Sequence, residues 1–355
     1  MSERVGRVRE RLEREGLDSL LVEAPANLRY LTGFSGSNGL ALVGQRALFL
    51  TDFRYAEQSA LEVDPEFERV IVSQDMLSEM AGWLEPGRLG FDPGATTVAR
   101  LEKLKDAIGA RAEIVSAAGI VEDLRVVKDA AEIEAIAAAA ALVDGIYAWL
   151  AERGFAGRTE RDVAVALEHE MRLRGASAPS FSSIVASGAQ AALPHGRARD
   201  VAIERGTLVL VDIGAVLDGY CSDCTRTFAV GEPSAQAREV YELVLAAQLR
   251  GLEALRAGRR GVEVDAQARE VISQAGYGEQ YGHGLGHGVG LEIHERPRVS
   301  YQGSEEVLQV GTVVTVEPGV YLPETLGVRI EDLTVVTDAE PRRLSGFTKE
   351  LLVVD

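Results

Sequence analysis

Four acidic residues stand where apolar side chains would be expected. In VLVDIGAVLDGYCSDCTRTF, Asp212 lies between Val211 and Ile213, and Asp223 lies in what reads as the returning strand. TVVTVEPGVYL closes an apolar strand with Glu317, and GVRIEDLTVV carries Glu331 in another. Side chains alternate along a strand, so Leu210, Asp212 and Gly214 share a face. A turn midpoint between residues 217 and 218 sets Asp212 opposite Asp223. Glu317 and Glu331 have a spacing that also suits a hairpin. Any one of these acids alone reads as a turn cap or as half of a salt bridge. Together, embedded in apolar strands, they would repel one another and carry a heavy desolvation cost. They must take up protons or hold cations. Arg226 and Arg329 are the nearest cationic residues in sequence, and two divalent ions would neutralise all four carboxylates.

The same logic explains YGHGLGHGVGLEIHERP, residues 281–297. This run holds His283, His287 and His294, three of the chain's five histidines, the first two between glycines. Glycine lets backbone approach an ion closely and tolerates positive φ. Carboxylates with one imidazole make a hard, oxygen-rich site that suits Mn²⁺, Co²⁺ or Fe²⁺, with Zn²⁺ as a further candidate. The run lacks H-E-x-x-H, which excludes a helical zinc-protease motif. One histidine can ligate while the others face a substrate. A lone histidine is ordinarily a surface hydrogen-bonding group, and His169 in ALEHEM is read so. The two cysteines, Cys221 and Cys224 in CSDC, have no second pair to complete a zinc site and lie in a strand pattern. They read as small residues flanking Asp223.

These groups need a scaffold. The chain has 355 residues, is 46% hydrophobic and carries a formal net charge of −18. Its length favours two domains, and its acidity argues against nucleic-acid binding. The charged, amphipathic start does not read as a secretory signal. No run of eighteen apolar residues suggests a membrane span, so the cytoplasm is the expected compartment. Residues 1–125 read as an α/β unit: a helix over 2–16, a strand over 19–23, a hairpin over 39–52 and strands at 69–72 and 89–91. A hinge is expected over 124–128 and a long helix over 129–153, ended by Gly154. Beyond it, Thr159 to Asp162 resembles a capping arrangement. A strand is expected over 179–187 and a hairpin over 207–230. Helices over 234–257 and 264–275 precede strands over 312–317 and 328–337.

In order, the stretches ALPHG, DIGAVLDGYCSDCTRTF, GHGLGHGVGLEIHERP, VEPGVY and GVRIED resemble the signatures of the pita-bread metallopeptidases, the family of methionine aminopeptidase, prolidase and aminopeptidase P. The resemblance covers residues 126–355, and residues 1–125 resemble the creatinase-like N-terminal domain of the prolidase and aminopeptidase P branch. The implied fold is α/β (α+β): a creatinase-like α/β domain followed by a pita-bread domain with a curved antiparallel sheet. The implied metal ligands are Asp212, Asp223, His287, Glu317 and Glu331, holding two divalent ions per subunit, with Mn²⁺ the expected metal. Asp212 would serve one ion, His287 and Glu317 the other, and Asp223 and Glu331 both. His195, His283 and His294 match substrate-side histidines. Arg329 matches an arginine that supports the substrate and the ligands, and Tyr321 a tyrosine near the active site. The implied activity is hydrolysis of the Xaa-Pro bond at peptide N-termini, through a hydroxide bridging the two ions. Glu317 would accept its proton, and His195 and His294 would steady the carbonyl oxygen. The resemblance to small bacterial proteins favours aminopeptidase P, with prolidase as the alternative and a non-catalytic binding protein a more distant one. A homodimer acting on peptides with proline second is expected, without nucleic-acid or membrane partners.

Overall fold

The computed structural model describes residues 2–302 and 305–355. The chain forms two compact units, Met1–Arg125 and Val126–Asp355.

In the first unit, six strands form one sheet. In sheet order they are Glu68–Val72, Ala47–Asp52, Leu40–Val43, Ser19–Val22, Gly87–Phe91 and Ala112–Ser116. The hairpin turns at residues 44–46, where Val43 pairs with Ala47. Helices such as Met76–Trp83 and Val98–Ile108 bury Leu77, Met80 and Leu104 against Leu40, Leu48 and Leu89 of the sheet.

The second unit surrounds antiparallel sheets with four long helices, Ala130–Arg153, Glu160–Leu173, Ala235–Ala254 and Gly261–Gln274. The helix Ala130–Arg153 is long and apolar enough to cross a membrane, yet it is packed inside the unit. Its Ile136, Val143, Ile146 and Leu150 are buried. The Tyr147 hydroxyl reaches the carbonyls of Val211 and Cys224 at 2.9 and 2.7 Å, and Asp144 accepts from the amides of Gly346 and Phe347. Capping boxes open this helix and the next, pairing Asp129 with Glu132 and Thr159 with Asp162. Each satisfies amides that a helix N-terminus leaves open.

Two hairpins dominate this unit, and both depart from the sequence reading. In the first, Leu208–Ile213 pairs with Cys224–Val230. The turn is Asp218-Gly219, with φ of 47° and 77°, the double positive φ of a two-residue type I′ loop. Leu217 therefore pairs with Tyr220, one position later than expected. Asp212 faces Thr225, not Asp223. A two-residue shift preserves side-chain parity, so Asp223 remains on the Asp212 face as its diagonal neighbour. Regular pairing also lapses beside Gly214, where a Cβ would overlap the Ser222 carbonyl and the Ser180 hydroxyl.

In the second hairpin, Val316 pairs with Asp332 and Gly319 with Arg329. That is one continuous register, but the expected strand over 328–337 splits into Leu326–Arg329 and Asp332–Val335. Pro318 has no N–H to give the ladder, and the break leaves Glu317 across from Glu331. Among the four acids only Asp212 lies within a strand; Asp223, Glu317 and Glu331 sit where the ladders lapse. The strand expected over 179–187 likewise divides, into Ala178–Pro179 and Ile184–Ser187, which belong to different sheets.

Candidate active site

The two hairpins are stitched together by threonines. Thr225 Oγ1 donates to Glu331 Oε2 at 2.7 Å, and the Glu331 amide donates to the Thr225 carbonyl at 3.1 Å. Thr227 Oγ1 bonds the Arg329 carbonyl at 3.0 Å. This seam brings the Asp212–Asp223 side against the Glu317–Glu331 side. The glycine-histidine segment joins through Leu285, whose carbonyl accepts from the Glu317 amide at 2.8 Å. Thr315 Oγ1 accepts from the His287 amide and donates to Glu317 Oε1, both at 3.1 Å.

His287 defines the centre. Its Nδ1 lies 3.1 Å from the Gly288 carbonyl, which can only accept, so Nδ1 carries the proton. The Nε2 lone pair then points at Asp223 Oδ2, 3.5 Å away, and Glu317 Oε1, 3.4 Å away. Asp223, His287 and Glu331 each offer a donor atom within 4.8 Å of the others. Asp212 Oδ1 and Glu331 Oε1 are buried with no hydrogen-bond partner among the described residues. Buried acceptors facing one another without donors are costly. The carboxyls of Asp223 and Glu331 are pushed well up by burial and by their neighbouring carboxylates, and burial raises that of Glu317 too. Burial lowers His287, keeping it neutral. Hard oxygen donors, one neutral imidazole and two orphaned oxygens fit divalent cations of the Mn²⁺ class.

Arg329 supplies the site's own positive charge. Its side chain is buried, and Nη2 meets Asp212 Oδ2 at 2.7 Å. Nε donates to Thr225 Oγ1 at 3.0 Å, and Nη1 to the Tyr321 hydroxyl at 2.8 Å and the Pro194 carbonyl at 3.2 Å. Burial pushes the Tyr321 phenol up to about 12, so it keeps its proton and bonds His283 Nε2 at 2.8 Å. His283 Nδ1 donates to the Gly284 carbonyl at 2.8 Å. With both nitrogens engaged, His283 offers a substrate its ring surface rather than a hydrogen bond.

His294 stands edge-on to His287, with ring centroids 4.4 Å apart, and its ring is partly open. His195 is exposed and follows Pro194, the residue Arg329 holds. All the residues expected at the site are thus in one unit, and Asp223, His287, Glu317 and Glu331 lie beside one another. His169 is exposed on the helix Glu160–Leu173. Cys221 and Cys224 are buried and form no disulfide among the described residues. Burial pushes the Cys224 thiol well up, so it is not a thiolate at neutral pH, as a redox pair would require.

The sequence reading passed over several groups. Thr225 bonds Glu331, and Thr315 bonds the His287 amide and Glu317, yet nothing in the sequence context of either threonine sets it apart. Arg269 bonds the Tyr281 and His283 carbonyls at 2.8 and 2.7 Å while paired with Asp265 at 2.7 Å. Lys128 makes a buried pair at 3.0 Å with Glu295, the neighbour of His294. Arg298 is exposed and lies directly across the strand pair from His287, and its charge helps to lower both His287 and His294.

Residues 127–338 match the profile of metallopeptidase family M24, and residues 4–127 that of the creatinase/prolidase N-terminal domain. An Xaa-Pro dipeptidase of Pyrococcus furiosus is 38% identical over 358 residues, covering 99% of this chain and 100% of its own. The solved Xaa-Pro dipeptidase from Bacillus anthracis superposes with a TM-score of 0.96 at 40% identity, covering 99% of both chains. A solved X-Pro aminopeptidase from Thermotoga maritima gives 0.90 at 36% identity, covering 97% of this chain and 100% of its own. The chain therefore has a creatinase/prolidase-type N-terminal unit and belongs to metallopeptidase family M24.

Proposed function

We propose that this chain is an Xaa-Pro dipeptidase that holds two divalent ions, with Mn²⁺ the expected metal, on Asp212, Asp223, His287, Glu317 and Glu331. The observation carrying the metal assignment is the His287 lone pair aimed at two carboxylates beside two orphaned buried oxygens. Ions of this class supply a nucleophilic water near neutral pH, lowering its pKa from about 15.7 to about 7. Glu317 takes the proton from the attacking water. His294 and His195 hydrogen-bond the carbonyl oxygen as it gains charge. The Arg329–Tyr321–His283 chain fixes the wall beside the leaving group, and the His283 ring gives the proline ring an apolar surface.

Two activities share this machinery. The motif-level preference for aminopeptidase P gives way here to the dipeptidase reading, which the named dipeptidases among the relatives support. Arg298 adds a physical reason. A dipeptide ends in a carboxylate one residue beyond the scissile bond, and Arg298 places an exposed cation across from His287. The Thermotoga relative keeps the aminopeptidase reading in view.

With Mn²⁺ present, Xaa-Pro dipeptides are expected to exceed Xaa-Pro-Xaa tripeptides in kcat/KM. Replacing Arg298 by Met should remove about 1.5 kcal/mol or more of carboxylate binding, roughly tenfold in KM for the dipeptide. Faster turnover of tripeptides, untouched by the Arg298 change, would instead identify an aminopeptidase.

A further inference from the structure

His195 is carried by the segment between Ser187 and Arg199, and one side chain holds both ends of that segment. Glu160, the first residue of the helix Glu160–Leu173, has its side chain fully buried. Its Oε1 accepts from the Ser187 amide at 2.9 Å, the Ser187 hydroxyl at 2.7 Å and Arg199 Nη2 at 2.8 Å. Its Oε2 accepts from the Arg199 amide and Nε, both at 3.0 Å. The backbone reinforces the same stem: Glu160 N bonds the Val201 carbonyl and Arg161 N the Arg199 carbonyl. Five hydrogen bonds on one carboxylate are far more than a helix start requires, since Thr159 and Asp162 already close the capping box.

Between the clamped ends the segment has little freedom. It forms the 3₁₀ turn Gly188–Ala192, then Leu193 N bonds the Gln190 carbonyl and Gly196 N the Leu193 carbonyl. Gly327 lies flush beneath the Ala191 carbonyl, where a Cβ would collide. Arg329 holds the Pro194 carbonyl. A displacement at the stem is therefore transmitted to His195 rather than absorbed on the way.

We propose that Glu160 is a positioning residue for the reaction, acting through His195. This rests on His195 touching the substrate carbonyl, as assigned above. Glu160→Gln keeps the size of the side chain but turns an amide N–H toward the donors of Arg199, loosening that end of the segment. Because a misplacement of about 1 Å can cost up to about 100-fold, kcat should fall roughly tenfold, with bound Mn²⁺ unchanged.

The test is a double-mutant cycle with His195→Ala, read as kcat and KM on an Xaa-Pro dipeptide with Mn²⁺ loaded. The expected result is that E160Q lowers kcat in the parent but by less than about twofold once His195 is gone. Equal losses in both backgrounds, or no loss in the parent, would overturn the proposal. Wild-type kcat in the H195A variant would show instead that the role given to His195 is wrong. Should E160Q fail to fold, Arg199→Met, whose side chain is partly exposed, loosens the same end and carries the same cycle.

Discussion

Replacing Asp223 by Asn is expected to reduce turnover by about 10³-fold, corresponding to several kcal/mol of lost charge stabilisation, while stabilising the metal-free protein. Asn matches Asp in size, so packing is unchanged. What disappears is a negative charge that the reading places between both ions and opposite the His287 lone pair. Without it the site loses the affinity to hold both. In the absence of metal the sign reverses. Burial and the neighbouring carboxylates raise the Asp223 carboxyl well above its ordinary 3.8 in the folded state. A group raised on folding costs nothing below its unfolded pKa and destabilises increasingly as pH climbs through the folded value. In chelator, then, the Asn variant should melt above the parent near pH 8, and the gap should close toward pH 4. A structural carboxylate would behave oppositely, losing stability on substitution while metal content and turnover stayed near those of the parent.

Arg329→Met should cost about 3 kcal/mol or more of folding stability, measured by urea unfolding of the metal-free protein. The buried guanidinium serves four acceptors: Asp212 Oδ2, Thr225 Oγ1, the Tyr321 hydroxyl and the Pro194 carbonyl. Methionine fills much of the volume but leaves the Asp212 carboxyl buried without its partner among the other acids. Lysine is expected to rescue little, since one ammonium cannot reproduce a fork whose Nε, Nη1 and Nη2 reach different partners. A loss below about 1 kcal/mol would mean that Asp212 is paid for by another group, and the electrostatic description of the site would be wrong.

The gathering of Asp223, Glu317 and Glu331 near Asp212 was legible in the sequence because acids set among apolar runs cannot be explained by packing. The geometry that joins them was less so. The first hairpin's register depended on which residues formed the turn, and Asp218-Gly219, with both residues at positive φ, moved it by one position. Even so, parity kept Asp223 on the right face. Pro318 was visible, but its effect, breaking the ladder so that Glu317 and Glu331 lie across a gap, depends on pairing that only the fold supplies. The seam through Thr225 and Thr227 links residues about a hundred positions apart, and nothing local announces it. Glu160 was hidden by its context. In Thr159 to Asp162 it reads as part of a cap, whereas Asp162 makes the cap and Glu160 turns to the His195 segment.

The central claim is that these acids share one buried place because divalent cations sit among them. Calorimetric titration of Mn²⁺ into the metal-free protein at pH 7, repeated in buffers of different ionisation heat, tests it most directly. The account predicts saturation at two ions per chain with protons released on binding, since burial and the neighbouring carboxylates favour the protonated form of Asp223 and Glu331 when no cation is present. Saturation below one ion per chain, or a stoichiometry that survives replacing Asp212, Asp223 and Glu331 together by their amides, would contradict it.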